Sequence, residues 1–225
     1  MINDTSGRNQ AIVSGKIVDE LKFSHEIYGE GFYYFKLDVC RLSGANDLIP
    51  VMVSERLADK EEYKTGRYVK IEGQFRSYNL TGPSGVHLQL MVFAREIEFA
   101  DDELPEKDIN TVLLDGFVCK PPVYRTTPFN REIGDILLAV NRAYNKSDYI
   151  PCILWGRNAR FAGKLKVGEN VRVTGRIQSR TYQKKKDNGE TVEKTAYELS
   201  VSRIEMVKPG EEYEDVTGRE DPPKE

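Results

Sequence analysis

The sequence predicts an all-β protein made of two tandem five-stranded barrels, each with one short helix between its third and fourth strands. Three observations carry this. The chain repeats itself, the repeats are filled with short alternating segments, and each repeat has room for a single helix.

The repeat comes first. Asn9 to Ile17 (NQAIVSGKI) and Asn110 to Val118 (NTVLLDGFV) match at an offset of 101. The same offset lays Phe35, Leu37, Val39 and Arg41 on Ile136, Leu138, Val140 and Arg142, and Ile49-Pro50 on Ile150-Pro151. An offset of 102 aligns TGRYVKIEGQF (Thr65 to Phe75) with VGENVRVTGRI (Val167 to Ile177).

Within each copy the apolar residues alternate, as in half-buried strands. Phe35, Leu37 and Val39 do so in the first copy, as do Val69, Ile71, Gly73 and Phe75; Val171, Val173, Gly175 and Ile177 do so in the second. Asp187-Asn188-Gly189 is a hairpin signal, because Asn and Gly tolerate positive φ, and Gly82-Pro83-Ser84-Gly85 holds the corresponding place in copy one. Helices are expected only near Arg56 to Tyr63 and Asn158 to Leu165. Five strands with a helix between the third and fourth is the layout of an OB fold. The expected organisation is one barrel over residues 1–103, a linker over 104–109, a second barrel over 110–208 and an acidic tail over 209–225.

The 225 residues are 39% hydrophobic and 31% charged, which is globular composition. No apolar run approaches the ~20 residues that span a bilayer, and the N-terminus has no secretory pattern, so a cytoplasmic protein with no membrane partner is expected. Cys40, Cys119 and Cys152 form no CxxC and only two histidines accompany them, so neither metal nor other cofactor is expected. The net charge of −3 hides an asymmetry. Residues 1–108 carry −6, residues 109–208 carry +8 and residues 209–225 carry −5. A basic unit between acidic ones points to a polyanionic partner for the second barrel.

Period-two arithmetic then selects a face. In Val171 to Tyr182 the odd positions Val171, Val173 and Ile177 face the core, leaving Arg172, Thr174, Arg176, Gln178, Arg180 and Tyr182 on the other side. The segment runs on into Lys184, Lys185 and Lys186. Such a row suits a phosphodiester backbone, although a solvated strand face is the commoner fate of these residues. Asp148 to Gly156 has two apolar faces, of which one (Tyr149, Pro151, Ile153, Trp155) cannot also line the barrel. A subunit interface competes for Pro151 and Ile153, whereas Tyr149 and Trp155 suit base stacking. Copy one has Leu48 and Ser54 in their places and breaks the arginine row with Glu72. Its exposed candidates are Phe23, Tyr28, Phe32 and Tyr78, and the run Phe32 to Phe35 reads as core and interface. It reads as a weaker binder or a scaffold.

The runs GDILLAVNRAY (Gly134 to Tyr144), DYIPCILWGR (Asp148 to Arg157) and LKVGENVRVTGRIQSRTY (Leu165 to Tyr182) resemble, in order and spacing, the bacterial single-stranded DNA-binding proteins. Copy one resembles them more faintly, so the chain is similar to the tandem-barrel members of that family. The resemblance implies single-stranded DNA as partner, base stacking at Tyr144, Tyr149, Trp155 and Tyr182, and a homodimer that assembles four OB folds. It also implies roles in DNA replication, recombination or repair. Counted from Ile136, Leu138 and Val140, Tyr144 falls on the core side, so its role rests on the resemblance alone. Typical members end in an acidic tail with an apolar tip that recruits repair and replication proteins; here the tail EEYEDVTGREDPPKE lacks that tip.

Three readings follow. The leading one is a non-enzymatic, sequence-tolerant binder of single strands. The second is a structural or primosome-like interaction module, and the third an RNA-directed OB protein. An enzyme is the least supported class, because no nucleophile elbow, phosphate-binding glycine loop or metal-ligand spacing is present.

Overall fold

A computed structural model describes residues 9–82, 85–100, 108–142, 146–185, 189 and 191–207. The first half contains β1 (Asn9–Ile17), β2 (Lys22–Ile27), β3 (Glu30–Cys40), β4 (Asn46–Ser54), a 3-10 turn (Lys60–Glu62), β5 (Tyr68–Gly82) and β6 (Gly85–Ala100). The second contains β7 (Asn110–Val118), β8 (Val123–Thr126), β9 (Glu132–Arg142), β10 (Lys146–Trp155), α1 (Arg157–Ala162), β11 (Asn170–Lys185) and β12 (Thr191–Met206).

The strands run β3-β4-β6-β5-β1 in one half, and β1 returns to β3 through Lys16↔Asp38 and Ile17↔Leu37. The second half repeats this as β9-β10-β12-β11-β7, closed through Phe117↔Ala139 and Val118↔Leu138. Each is the five-stranded barrel expected from the repeat, with a short extra strand (β2 or β8) added along β3 or β9. The expected helix of copy two is present as α1. In copy one it shrinks to the 3-10 turn, capped by the Asp59 carboxylate and followed at once by Tyr63, whose ring is drawn into the core against Phe35 and Phe99.

Alternation places the cores. Phe35, Leu37 and Val39 in β3, Val69 and Ile71 in β5, and Leu138, Val140, Val171, Val173 and Ile177 in the second barrel are all at most 1% exposed. The barrels need a sharp bend in their long hairpins, and both supply it in the same way. Register slips by one residue at Glu72/Gly73 against β6 and at Thr174/Gly175 against β12. A Cβ on Gly73 would stand 2.1 Å from the Phe93 carbonyl oxygen, and one on Gly175 2.3 Å from that of Ser200. Only glycine fits where two backbones approach so closely. Gly175→Val is therefore expected to destabilise the protein by about 3 kcal/mol, seen as a lower urea midpoint with little change in m. An unchanged midpoint would contradict the assigned bend.

The two barrels share an edge. β1 and β7 pair antiparallel from Asn9↔Leu114 to Val13↔Asn110, making one continuous twelve-stranded sheet. Two buried aspartates, equivalent in the repeat, clasp the units from either side. Asp47 in β4 is fully buried and accepts from the backbone N–H (2.7 Å) and hydroxyl (3.0 Å) of Ser179, from Arg176 (3.2 Å), and from Arg41 at 2.6 and 2.5 Å. Asp148 in β10, also fully buried, accepts from the N–H (2.8 Å) and hydroxyl (3.2 Å) of Ser77 and from Arg142 (3.2 Å). Burial alone would raise the Asp47 carboxyl, but the bonds from Arg41 and Ser179 outweigh it and hold the group below its ordinary value.

Candidate nucleic-acid interface

The outward face of the second barrel is built from alternate residues of β9, β10, β12 and β11. Along β10, Ile150, Cys152 and Leu154 point into the core and Tyr149, Pro151, Ile153 and Trp155 point away. Tyr149 is 48% exposed and Trp155 41%, while Pro151 and Ile153 between them are largely covered. Two rings thus stand at the ends of an apolar strip about 20 Å long at ~3.3 Å per residue. Large rigid π-faces on a fixed strand can accept bases at little entropic cost, each stack contributing about 1–3 kcal/mol.

The strip lies parallel to β12 through Cys152↔Leu199 and Ile153↔Ser200, and β12 in turn pairs with β11 through Ser200↔Arg176, Glu198↔Gln178 and Ala196↔Arg180. The β10–β12 pairing is confined to Cys152 and Ile153; at Tyr149 the β10 edge lies against Ser77 of β5 instead. Arg180 is exposed. Burial pushes the Glu198 carboxyl up, with Arg180 pulling the other way. Tyr182, 41% exposed, lies two residues further along β11 on the same side as Arg180.

The predicted arginine row is divided by partners from elsewhere. Arg172 is clamped by Asp115 of β7, its directly opposite neighbour, in a bidentate pair at 2.8 and 2.9 Å. Arg176 reaches across the barrel junction to Asp47 and bonds Gln178 at 3.0 Å. Burial, and then repulsion from Arg41, lower the Arg176 guanidinium against the attraction of Asp47. Both arginines already serve the framework, which leaves Arg180 as the member of the row presented on the surface. Tyr144 and Lys186 lie outside the described residues, as do the side chains of Lys184 and Lys185.

The clasps place this face. The Asp148 that binds Ser77 directly precedes Tyr149, whose own N–H donates to the Ser77 hydroxyl at 2.9 Å. The Ser179 held by Asp47 directly precedes Arg180. The first barrel thereby fixes the backbone beneath two candidate contact residues of the second.

On the first barrel the equivalent face carries aromatic rings already engaged with one another. His25 stacks on Phe32 at 5.1 Å, Phe32 meets Phe93 at 5.9 Å, and the Arg76 guanidinium lies 4.2 Å over the Phe93 ring. Phe35 is in the core, and Tyr33 packs against Phe23 and bonds Lys60. Phe23 and Tyr28 are exposed. Phe93 and the junction aspartates escaped the sequence reading; only the long-range pairing of β4 with β6, and of each unit with the other, brings them to these positions.

Residues 109–207 match the Single-strand binding protein family. Single-stranded DNA-binding protein 1 of Lactococcus lactis is 38% identical over 82 residues, covering 33% of this chain and 55% of that protein. The single-stranded DNA-binding protein of Halalkalibacterium halodurans is 32% identical over 108 residues, covering 45% of this chain and 62% of the relative. The chain therefore spans about half to three-fifths of the length of these relatives. The fold of both barrels together is shared with the wild-type single-stranded DNA binding protein from Thermus aquaticus, with a TM-score of 0.67 at 20% identity over 95% of this chain and 99% of that one. Through residues 109–207, the second barrel, the chain is similar to members of the single-strand binding protein family.

Proposed function

We propose that the chain is a non-enzymatic, sequence-tolerant binder of single-stranded DNA that coats and protects exposed strands during replication, recombination or repair. The observation that carries this reading is the pair Tyr149 and Trp155, exposed at the two ends of one apolar strip of β10, with Arg180 exposed on β11. Bases stack on the rings while cations meet the phosphates. Tyr182, Tyr144 and the lysines Lys184, Lys185 and Lys186 extend the same path, and Arg172 and Arg176 support it from the framework. The relatives' names, all single-stranded DNA-binding proteins, support the choice of ligand.

Residues 1–103 and 110–208 are the two proposed OB domains, the first a scaffold or weaker binder. A homodimer with four barrels, working in the cytoplasm, completes the proposal. Among the described residues no helix is long and apolar enough to cross a membrane.

The test is binding of labelled oligo-dT, oligo-rU and matched duplex at graded salt. Oligo-dT is expected to bind tightly and duplex poorly, with a log–log salt slope of about −0.7 per phosphate contacted. Equal affinity for duplex and single strand would sink the reading, and a clear preference for oligo-rU would replace DNA with RNA. Sedimentation should give about twice the 25.7 kDa of one chain.

A further inference from the structure

The β8–β9 hairpin ends in an aromatic ring that the strip on β10 does not use. Phe129 is 86% exposed at the tip of a turn formed by Thr127 to Arg131. That turn is firmly built. The Thr127 N–H donates to the Arg131 carbonyl (2.9 Å), the Asn130 N–H to the Thr127 carbonyl (2.9 Å), and the Arg131 N–H to the Thr127 hydroxyl (3.1 Å). Asn130 takes the left-handed conformation, φ +57, that closes it, a conformation Asn tolerates well. With most of its surface in water, the Phe129 ring contributes little apolar burial to the fold.

Its place in the fold gives it a use. Trp155 pairs with Ile133 of β9, and the Gly156 N–H donates to the Glu132 carbonyl, so the end of the strip that carries Trp155 abuts the root of this hairpin. Phe129 stands four residues before Ile133, on the turn that leads into this end of β9. Arg131 and Arg157 are exposed beside it, while the neighbouring acids Glu132 and Asp135 are paired with Arg160 and Arg125. The repeat supplies a contrast. Tyr28, equivalent to Phe129 at the offset of 101, also stands fully exposed on its hairpin, but Glu26 and Glu30 flank it.

We propose that Phe129, with Arg131, is an additional base-stacking and phosphate contact that carries a single strand roughly one to three nucleotides past Trp155. The proposal rests on the single-strand-binding reading above. It assigns the ligand by continuity with the strip and by charge, the basic hairpin and not the acidic one being the extension.

The test uses the full chain and fluorescein-labelled oligo-dT of graded length, read by anisotropy, with Trp155 emission followed in parallel. Phe129→Ala should weaken the longer oligomers roughly tenfold while leaving the shortest bound species and their quenching of Trp155 unchanged. Phe129→Trp should restore long-oligomer affinity and Phe129→Leu should not, which separates stacking from simple apolar contact. Arg131→Ala should reduce the salt slope by about 0.7. If the parent binds and Phe129→Ala matches it at every length, or loses the same factor at every length, the extension is overturned and the strip stands. If the parent binds no oligomer and Trp155 emission never changes, the underlying reading falls and the extension with it.

Discussion

Asp47→Ala is expected to cost about 3–5 kcal/mol of stability, more than any surface change in the second barrel. The carboxylate is fully buried and receives Arg41, Arg176 and both donors of Ser179, so its removal leaves guanidinium charge and a backbone N–H without their partner at the junction. Breaking a buried ion pair from one side is costly because the remaining charge stays desolvated. Asp47→Asn keeps the shape and should lose less. The pH dependence follows from the sign of the shift. Asp47 is held below the ordinary carboxylate value of ~3.9, so its contribution is complete above that pH and is lost as pH falls through the lower folded value. Chemical denaturation from pH 7 to pH 3 should show the parent weakening below about pH 4 and Asp47→Asn weakening less over the same window. Identical pH curves would contradict the clasp.

Trp155→Ala should reduce affinity for oligo-dT by 1–3 kcal/mol, about 5- to 150-fold, without lowering the thermal midpoint. The ring is 41% exposed and projects from the outward side of β10, while the neighbouring Leu154, at 0% exposure, anchors the strand in the core. Trp155→Phe keeps a stacking face and should retain most of the affinity. A loss of folding in Trp155→Ala, or full affinity in a folded variant, would remove Trp155 from the interface. Tyr149→Ala should behave similarly with a smaller loss, and Tyr149→Phe should bind as the parent does.

How much was legible in the sequence differs between the barrel and its surface. Strand positions were readable because alternation and turn chemistry are local. The run from Val171 to Ile177 announces its own period, and Gly82 and Gly85 meet at the end of the β5–β6 hairpin. The closures Ile17↔Leu37 and Val118↔Leu138 follow from the OB layout. The pairing of β1 with β7 does not, since β1 already has a partner on each side within its own barrel over part of its length.

The site was half legible for the same reason. Period-two arithmetic correctly put Tyr149 and Trp155 on the face opposite the core, because both strand sides are determined once Ile150 and Leu154 are buried. It also put Arg172, Arg176 and Arg180 on a common side. What it does not contain is which acid stands opposite each one. Asp115 is 57 residues from Arg172 and Asp47 is 129 from Arg176, so the pairing that occupies these two guanidiniums appears only when β7 and the other barrel are in place. The 3-10 turn in place of a helix near Lys60 has a similar origin: Tyr63 buries against Phe35 and Phe99, a demand of the core that local propensity does not express.

Trp155 is the only tryptophan in the chain, so its emission reports on the candidate interface alone. The most direct measurement is a titration of the protein with unlabelled oligo-dT at low and moderate salt, followed by tryptophan fluorescence, with duplex DNA as the control. Strong quenching by oligo-dT that weakens with salt and does not occur with duplex is the predicted result. Unchanged emission from the folded protein at concentrations where oligo-dT is shown by gel shift to be bound would contradict the account, because the strand would then lie somewhere other than on the β10 strip.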